Sequence, residues 1–321
     1  MNSLKQAVRT YTSRHANSRG MALTPVPGLR MMCLEAPTGD LHTVYKPLVC
    51  LVLQGAKHVI VGREERVLSA GESAMVSADM PVVGRIVQAS RSAPYLAIAV
   101  ELDMAILREL TAHLGSPRPR RPSEMPTLFA VDTEAALLDC ASRLMQLLDR
   151  PEAVPLLSPG IMRELHYWLL SGPHSTVLQT LADPDSHAGR LAAAIAILRA
   201  EYRSRVPVER LAAEAGMSLT SFHKHFKHMT SLTPGQYQKR LRLVEARRLM
   251  LDEGFSASNA AFEVGYESVS QFTREYGRLF QAPPKRDAMR LQGKSSILVE
   301  EVAKTKHSMS RPLPASVANQ A

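Results

Sequence analysis

The sequence predicts an α+β chain: an N-terminal small antiparallel barrel or jelly roll with appended helices, then an all-α domain of two helix-turn-helix units. Three observations lead there. Between Leu29 and Val100, short runs rich in Val, Ile and Leu are broken by turn residues, as expected for several antiparallel strands. After Asp103 the apolar residues recur at helical spacing. And the stretch from Leu211 to Tyr237 is said again, in altered words, from Asn259 to Pro284.

The strand region reads as "LHTVYKPLVCLVLQG", "KHVIVGREERVLSAGESAMVSAD", "VVGRIVQAS" and "PYLAIAVEL". A helix follows at "MAILRELTAHLG", then a Pro/Arg-rich loop "SPRPRRPSEMP" and a second helix in "DTEAALLDCASRLMQLLDR". That second helix has apolar residues at Ala136, Leu137, Cys140, Leu144, Leu147 and Leu148, with Asp132 or Thr133 as its expected cap and Pro151 ending its period. A third helix, "SPGIMRELHYWLLSG", is expected to start at Ser158-Pro159 and stop at Gly172. Their leftover apolar faces call for the barrel or a second subunit to cover them. The polar, turn-forming "LADPDSHAG" divides the chain into residues 1–182 and 183–292, and the aperiodic residues 293–321 read as a disordered tail.

Net charge is +9 over 321 residues. Between His187 and Arg290 stand 17 Lys and Arg against 10 Asp and Glu, so most of the excess sits with the repeat and favours an acidic partner. The N-terminus lacks the apolar block and cleavage site of a signal peptide, and no run of about 18 apolar residues occurs, so a cytoplasmic protein is expected with no membrane partner. Cys33, Cys50 and Cys140 are odd in number, far apart and without a CxxC pair. They read as buried thiols rather than a disulfide framework or zinc site, with a sensing role for Cys33 or Cys50 the weaker alternative.

The repeat carries the chemistry. Ala212/Ala261, Glu214/Glu263 and Gly216/Gly265 lie 49 residues apart, and Ser218/Ser268, Phe222/Phe272 and Phe226/Tyr276 lie 50 apart. In each copy a short helix ends at a glycine, which can take positive φ in a tight turn, and a serine can cap the helix that follows. With Phe222 and Phe226 inward, Thr220, His223, Lys224 and Lys227 face outward. With Phe272, Tyr276 and Leu279 inward, Val269, Ser270, Thr273 and Arg274 do so. Polar and cationic residues on such a face suit hydrogen bonding to base edges in the major groove. The joining helix, about Thr233 to Asp252, has a proline start at Pro234. It places Tyr237, Leu241, Val244 and Leu249 on apolar faces and carries Lys239, Arg240, Arg242, Arg247 and Arg248. At 1.5 Å per residue it spans roughly 25 Å, enough to set two recognition helices about one DNA turn apart.

At these residues the sequence resembles the AraC/XylS family of bacterial transcriptional regulators. The resemblance rests on "VERLAAEAGMSLTSFHKHFKHMTSLTPGQYQKRLRLVEARRLML" and "VGYESVSQFTREYGRLFQAPP". It implies base-facing roles for Thr220, His223, Lys224, Ser270, Thr273 and Arg274, and phosphate contacts from Lys227, Arg240 and helix N-termini. The upstream "PLVCLVLQGAKHVIVG", "GESAMVSADMPVVGRIVQAS" and "VPLLSPGIMRELHYWLLSGP" are similar to the N-terminal domain of one branch of that family. They imply a cupin-like barrel for effector sensing and dimerisation. The expected partners are promoter or operator DNA, a small-molecule effector, a second copy of the chain and, for an activator, RNA polymerase. No cofactor is expected.

For the effector, His42, Tyr45, Lys46, His58 and Arg85 are the candidate polar anchors inside the barrel, in a pocket otherwise apolar. Catalysis is the alternative to weigh. A metal site of the cupin type needs two histidines one residue apart, and His42 and His58 stand alone. His113, His166 and His174 fall on helix or loop positions that suit structural roles. Neither a GxSxG elbow, a P-loop nor a GxGxxG turn occurs, so no enzyme is expected. A basic RNA-binding or adaptor module is the other reading, but RNA modules display stacking aromatics, and here the aromatics recur at core spacing.

Overall fold

The computed structural model describes residues 2–17, 19–62, 64–114 and 127–291; the Pro/Arg-rich loop and the expected disordered tail lie outside them. The chain opens with helix α1 (Asn2–His15). Leu4, Val8 and Thr12 recur every four residues on its buried face, and the Thr12 hydroxyl donates to the Val8 carbonyl at 2.8 Å. Strands β1 (Met21–Leu23), β2 (Leu29–Leu34), β3 (Leu41–Tyr45), β4 (Leu48–Gln54), β5 (Ala56–Val61), β6 (Glu64–Ser69), β7 (Glu72–Val76), β8 (Met80–Gln88) and β9 (Tyr95–Glu101) follow. Strand β10 (Leu128–Asp132) comes after helix α2 (Met104–Leu114).

The expected barrel or jelly roll takes the form of two antiparallel sheets, ordered β1-β2-β9-β4-β7-β10 and β3-β8-β5-β6. Side chains alternate across each strand. Val52, Ala97 and Met32 turn into the space between the sheets, together with Val59, Val61, Met80, Val82 and Ile86 from the smaller sheet. Their neighbours Leu51, Leu53, Met31, Ile98 and Val100 turn the other way, onto helices α1, α2, α3 (Ala135–Leu147), α4 (Val154–Ser171) and α5 (Ser175–Ala182). That second face explains why the larger sheet is apolar on both sides: one face fills the sandwich and the other is roofed by helices.

Two expected helix starts are corrected. Asp132 is the last residue of β10, paired with Glu72, and the cap position of α3 falls to Glu134, whose side chain makes no capping bond. Helix α4 begins at Val154 rather than Ser158, leaving Pro159 inside it. Pro155 supplies the N-terminal proline one turn earlier, and the bond lost at Pro159 is a single one near the helix start. Gly172 does end that helix.

The remaining helices are α6 (His187–Ala200), α7 (Val208–Glu214), α8 (Leu219–Thr230), α9 (Pro234–Asp252), α10 (Ala257–Glu263) and α11 (Val269–Phe280), with residues 284–291 helical again. They build two small cores on one shared helix. Tyr237 and Leu241 of α9 join Phe222 and Phe226 in the first, while Leu243, Ala246, Leu249 and Met250 join Phe272, Tyr276 and Phe280 in the second. Helix α9 is fixed at its start by a reciprocal capping box between Thr233 and Gln236. No helix among the described residues is long and apolar enough to cross a membrane.

Candidate nucleic-acid interface and barrel cavity

The two helix-turn-helix units form as their sequences dictate. Gly216 at φ +58° and Gly265 at φ +87° make the turns, and Ser218 and Ser268 cap α8 and α11 by accepting from the backbone N–H of Ser221 and Gln271. Burial of Phe222, Phe226, Phe272 and Tyr276 then fixes how each helix is rotated. Thr220, His223, Lys224 and Lys227 on α8 and Ser270, Thr273 and Arg274 on α11 are all exposed, and Val269 is half-buried.

Several cations elsewhere in the domain are held in ion pairs. Arg203 pairs with Glu263 at 2.6 Å, Arg210 with Glu201 at 2.6 Å, and Arg248 with both Glu245 and Glu253. Lys224, Lys227 and Arg274 form no ion pair among the described residues. Arg205, Arg278, Lys285 and Arg286 are likewise exposed and form no ion pair among the described residues, so unpaired positive charge includes the recognition faces and extends beyond them.

The basic residues of α9 mostly work inward instead. Arg242 donates to the carbonyls of Tyr202, Arg203, Ser204 and Gly265, lashing the α6–α7 loop to the turn of the second unit. Arg247 lies 4.5 Å above the Phe280 ring, and its Nε donates to Asp287 at 2.8 Å. Asp287 is fully buried and also accepts from the Tyr276 hydroxyl at 3.0 Å and from Arg290 at 2.9 Å. Lys239 pairs with Glu275 of α11 at 2.9 Å. Nothing in a basic helical stripe distinguishes a cation reserved for phosphate from one that ties loops together, since both need the same residue type.

The two halves meet across the outer face of the smaller sheet. Val44 packs against the first helical core and Met229 of α8 against the sandwich core. Arg199 pairs with Asp79 at 2.5 Å, the Tyr237 hydroxyl donates to the Asp79 carbonyl at 3.1 Å, and Arg19 pairs with Asp252. His42 lies edge-on to Phe280 with ring centroids 5.0 Å apart. Its Nδ1 is buried without a partner among the described residues, and burial, then Arg247 and Arg240, push its pKa down to about 4. Arg240, the expected phosphate ligand, is half-buried here, and burial lowers its pKa.

The five expected effector anchors do not converge. Strand register explains why: His42 lies opposite Val83 and His58 opposite Arg85, all on the outer face of the smaller sheet. His58 there faces Glu65 at 3.6 Å and Arg85 pairs with Asp40 at 2.7 Å. Lys46 is exposed and pairs with Glu101 at 3.3 Å. Tyr45 alone of the five lines the cavity between the sheets, a space of about 40 Å³ that it shares with Arg30, Lys57, Tyr95, Cys50 and Met32. The residues that sequence reading missed, Lys57 and Arg30, are one position off in parity from His58 and Met31. A lysine inside an otherwise apolar alternating strand was the available signal.

All three thiols are pushed up by burial, Cys140 to about 11, which works against thiolate reactivity. His166 is buried with both ring nitrogens engaged, one by the Met162 carbonyl and one by the Asp103 N–H, a structural role. Among the described residues no group of three His, Cys, Asp or Glu is arranged to hold a metal.

A two-sheet domain roofed by helices, joined to two helix-turn-helix units on one shared helix, defines a two-part regulator architecture. Residues 25–177 match the AraC-type transcriptional regulator N-terminus and residues 211–289 match a helix-turn-helix domain. The chain belongs to the AraC/XylS family of transcriptional regulators. It is 33% identical over 109 residues to the HTH-type transcriptional activator RhaS of Klebsiella pneumoniae, covering 34% of this chain and 38% of that protein. It is 30% identical over 101 residues to RhaS of Escherichia coli, covering 32% and 36%. The chain thus spans less than two-fifths of the length of the curated relatives it matches. In fold it is similar to apo ToxT from Vibrio cholerae, with a TM-score of 0.57 at 11% identity over 87% of this chain and 100% of that one.

Proposed function

We propose that the chain is a sequence-specific, effector-responsive transcriptional regulator that reads two successive major grooves of double-stranded DNA. The observation that carries this reading is the pair of serine-capped recognition helices, joined by α9, whose outward faces carry the exposed polar and cationic residues Thr220, His223, Lys224, Ser270, Thr273 and Arg274. Phosphate contacts position such a protein and base contacts specify its site. Thr220, His223, Lys224, Ser270, Thr273 and Arg274 take the base edges, and Lys227 a phosphate. Arg240 joins it only where the two halves part. Helix α9, at about 28 Å for its 19 residues, holds the readers at a fixed offset.

In this reading residues 1–182 sense the effector and dimerise, residues 183–292 bind DNA, and the protein works in the cytoplasm without catalysis. Activation, through contact with RNA polymerase, follows the curated relatives' printed role as activators. Selection of genomic fragments by the purified protein at about 150 mM salt, where nonspecific phosphate binding is weakened, tests it. A common site with two elements about one helical turn apart supports the double reader. Recovery of fragments with no common sequence, with and without cell extract as a source of effector, rules it out.

A further inference from the structure

The cavity between the sheets contains cations that the fold does not fully neutralise. Lys57 is 5% exposed, and its Nζ donates to the Tyr45 hydroxyl at 2.8 Å while lying 5.5 Å from that ring's centroid. The Arg30 guanidinium lies 6.0 Å from the same centroid on the other strand system. An ammonium carries three donors, and among the described residues this one meets a single neutral acceptor. Arg30 Nη1 pairs with Glu101 at 3.1 Å, but Glu101 is shared with Lys46, and Arg30 Nη2 is buried without a partner among the described residues. The Tyr95 hydroxyl, fully buried in the same cavity, has only the weakly accepting Cys50 thiol beside it among the described residues. Buried cations need a counter-charge, and buried donors need acceptors.

The space for Lys57 is built in. Gly84 of β8 faces it across the sheet, and a Cβ there would stand 2.5 Å from Lys57 Cε. Burial and the nearby Arg30 oppose its protonation, while Tyr45, Cys50 and the hydrogen bond to Tyr45 favour it and leave its pKa above the ordinary lysine value.

We propose that this cavity binds a small organic acid, its carboxylate between Lys57, Arg30 and the two tyrosine hydroxyls and its carbon chain against Met32 and Ala97. One carboxylate supplies two acceptor oxygens and one negative charge, which matches two convergent cations and unfilled donors. The apolar walls and a volume of about 40 Å³ suit a short acid rather than a sugar or a phosphate ester. The inference deepens the effector-sensing part of the proposed function, and its test involves no DNA, so either can fail without the other.

The test is calorimetric titration of the purified full-length chain with propionate, propanamide and inorganic phosphate. Saturable binding of propionate is expected, at about millimolar affinity for so few atoms. Propanamide and phosphate should bind at least about tenfold more weakly. Lys57→Met should weaken propionate by about tenfold or more. Where that variant loses its fold, Gly84→Ala, which displaces the lysine without removing its charge, should weaken propionate in the same direction. Equal binding of propionate and propanamide, equal binding of phosphate, unchanged affinity in a folded Lys57→Met, or no propionate binding each overturns the proposal.

Discussion

Arg199 of α6 holds the Asp79 carboxylate at 2.5 Å, and the carbonyl of the same Asp79 takes the hydroxyl of Tyr237 from α9 at 3.1 Å. One acid at the rim of the sandwich thereby fixes two helices of the other half. Arg199 also approaches the carbonyl of Tyr45, at 3.4 Å, whose side chain reaches into the cavity. The cavity and the helical domain are thus one residue apart.

Burial raises the Asp79 carboxyl's pKa against the pull of Arg199. Removing one partner of a largely buried pair leaves the other desolvated and alone. Asp79→Ala is expected to weaken the contact between halves by about 1–3 kcal/mol while each half stays folded. Calorimetry should show the unfolding peak split or broaden, and limited proteolysis near residues 183–187 should quicken. A single unshifted transition would make the pair incidental.

The contact should also loosen in acid through His42. Its pKa is about 4 in the folded chain, below the ordinary histidine value, because burial and then the charges of Arg247 and Arg240 oppose its protonation, with Asp40 and Asp287 favouring it. The unfolded or undocked histidine takes up its proton first as pH falls. Stability is therefore full above about pH 6.5 and declines toward pH 4, by about 1–3 kcal/mol for this group. His42→Gln should flatten that part of the stability profile between pH 7 and 5. An unchanged slope would assign the acid sensitivity to other buried histidines.

How much of this was legible in the sequence depends on what each residue's neighbours are. The helix-turn-helix units were readable because their determinants are local: Gly216, Ser218 and the Phe222/Phe226 spacing all act within one turn or two. The cations that line the cavity were not, because a strand's inner face is set by pairing partners far away in sequence. His58 and Lys57 are adjacent, and only the register of β5 against β8 decides which one turns inward. The partners of the α9 cations were hidden for a third reason. Arg242 and Arg247 meet partners from other segments, the 202–204 loop and Asp287, that a single helix cannot reveal.

The two turn glycines should differ sharply in tolerance. At Gly265 a Cβ would stand 1.9 Å from the Arg203 carbonyl oxygen, on a backbone at φ +87°. At Gly216 the φ is +58° and the nearest atom is a guanidinium nitrogen at 3.8 Å. Gly216→Ala should cost about 1 kcal/mol, the left-handed penalty alone. Gly265→Ala should cost about 3 kcal/mol or more, since it must displace backbone that Arg242 holds. Gly277, helical with open space around it, should gain up to about 1 kcal/mol on change to Ala. Equal destabilisation at 216 and 265 in denaturant titrations would show the Arg203 loop to be yielding.

The last prediction separates reading from holding on the outer faces. Arg274 and Lys227 are both exposed cations without ion-pair partners among the described residues, but they sit on different helices and differ in what they offer. A guanidinium presents a planar fork that matches the guanine edge, whereas an ammonium is a point charge that suits a phosphate oxygen. Arg274→Ala is therefore expected to cost about 1–3 kcal/mol on the selected site and to relax preference at one base pair, leaving binding to unrelated DNA nearly unchanged. Lys227→Ala should weaken binding to every sequence alike and lower the slope of affinity against salt by about one unit. Measuring both variants on matched and scrambled duplexes across a salt series distinguishes them. A uniform loss for Arg274 would move it among the phosphate contacts and leave the second unit's specificity to Ser270 and Thr273.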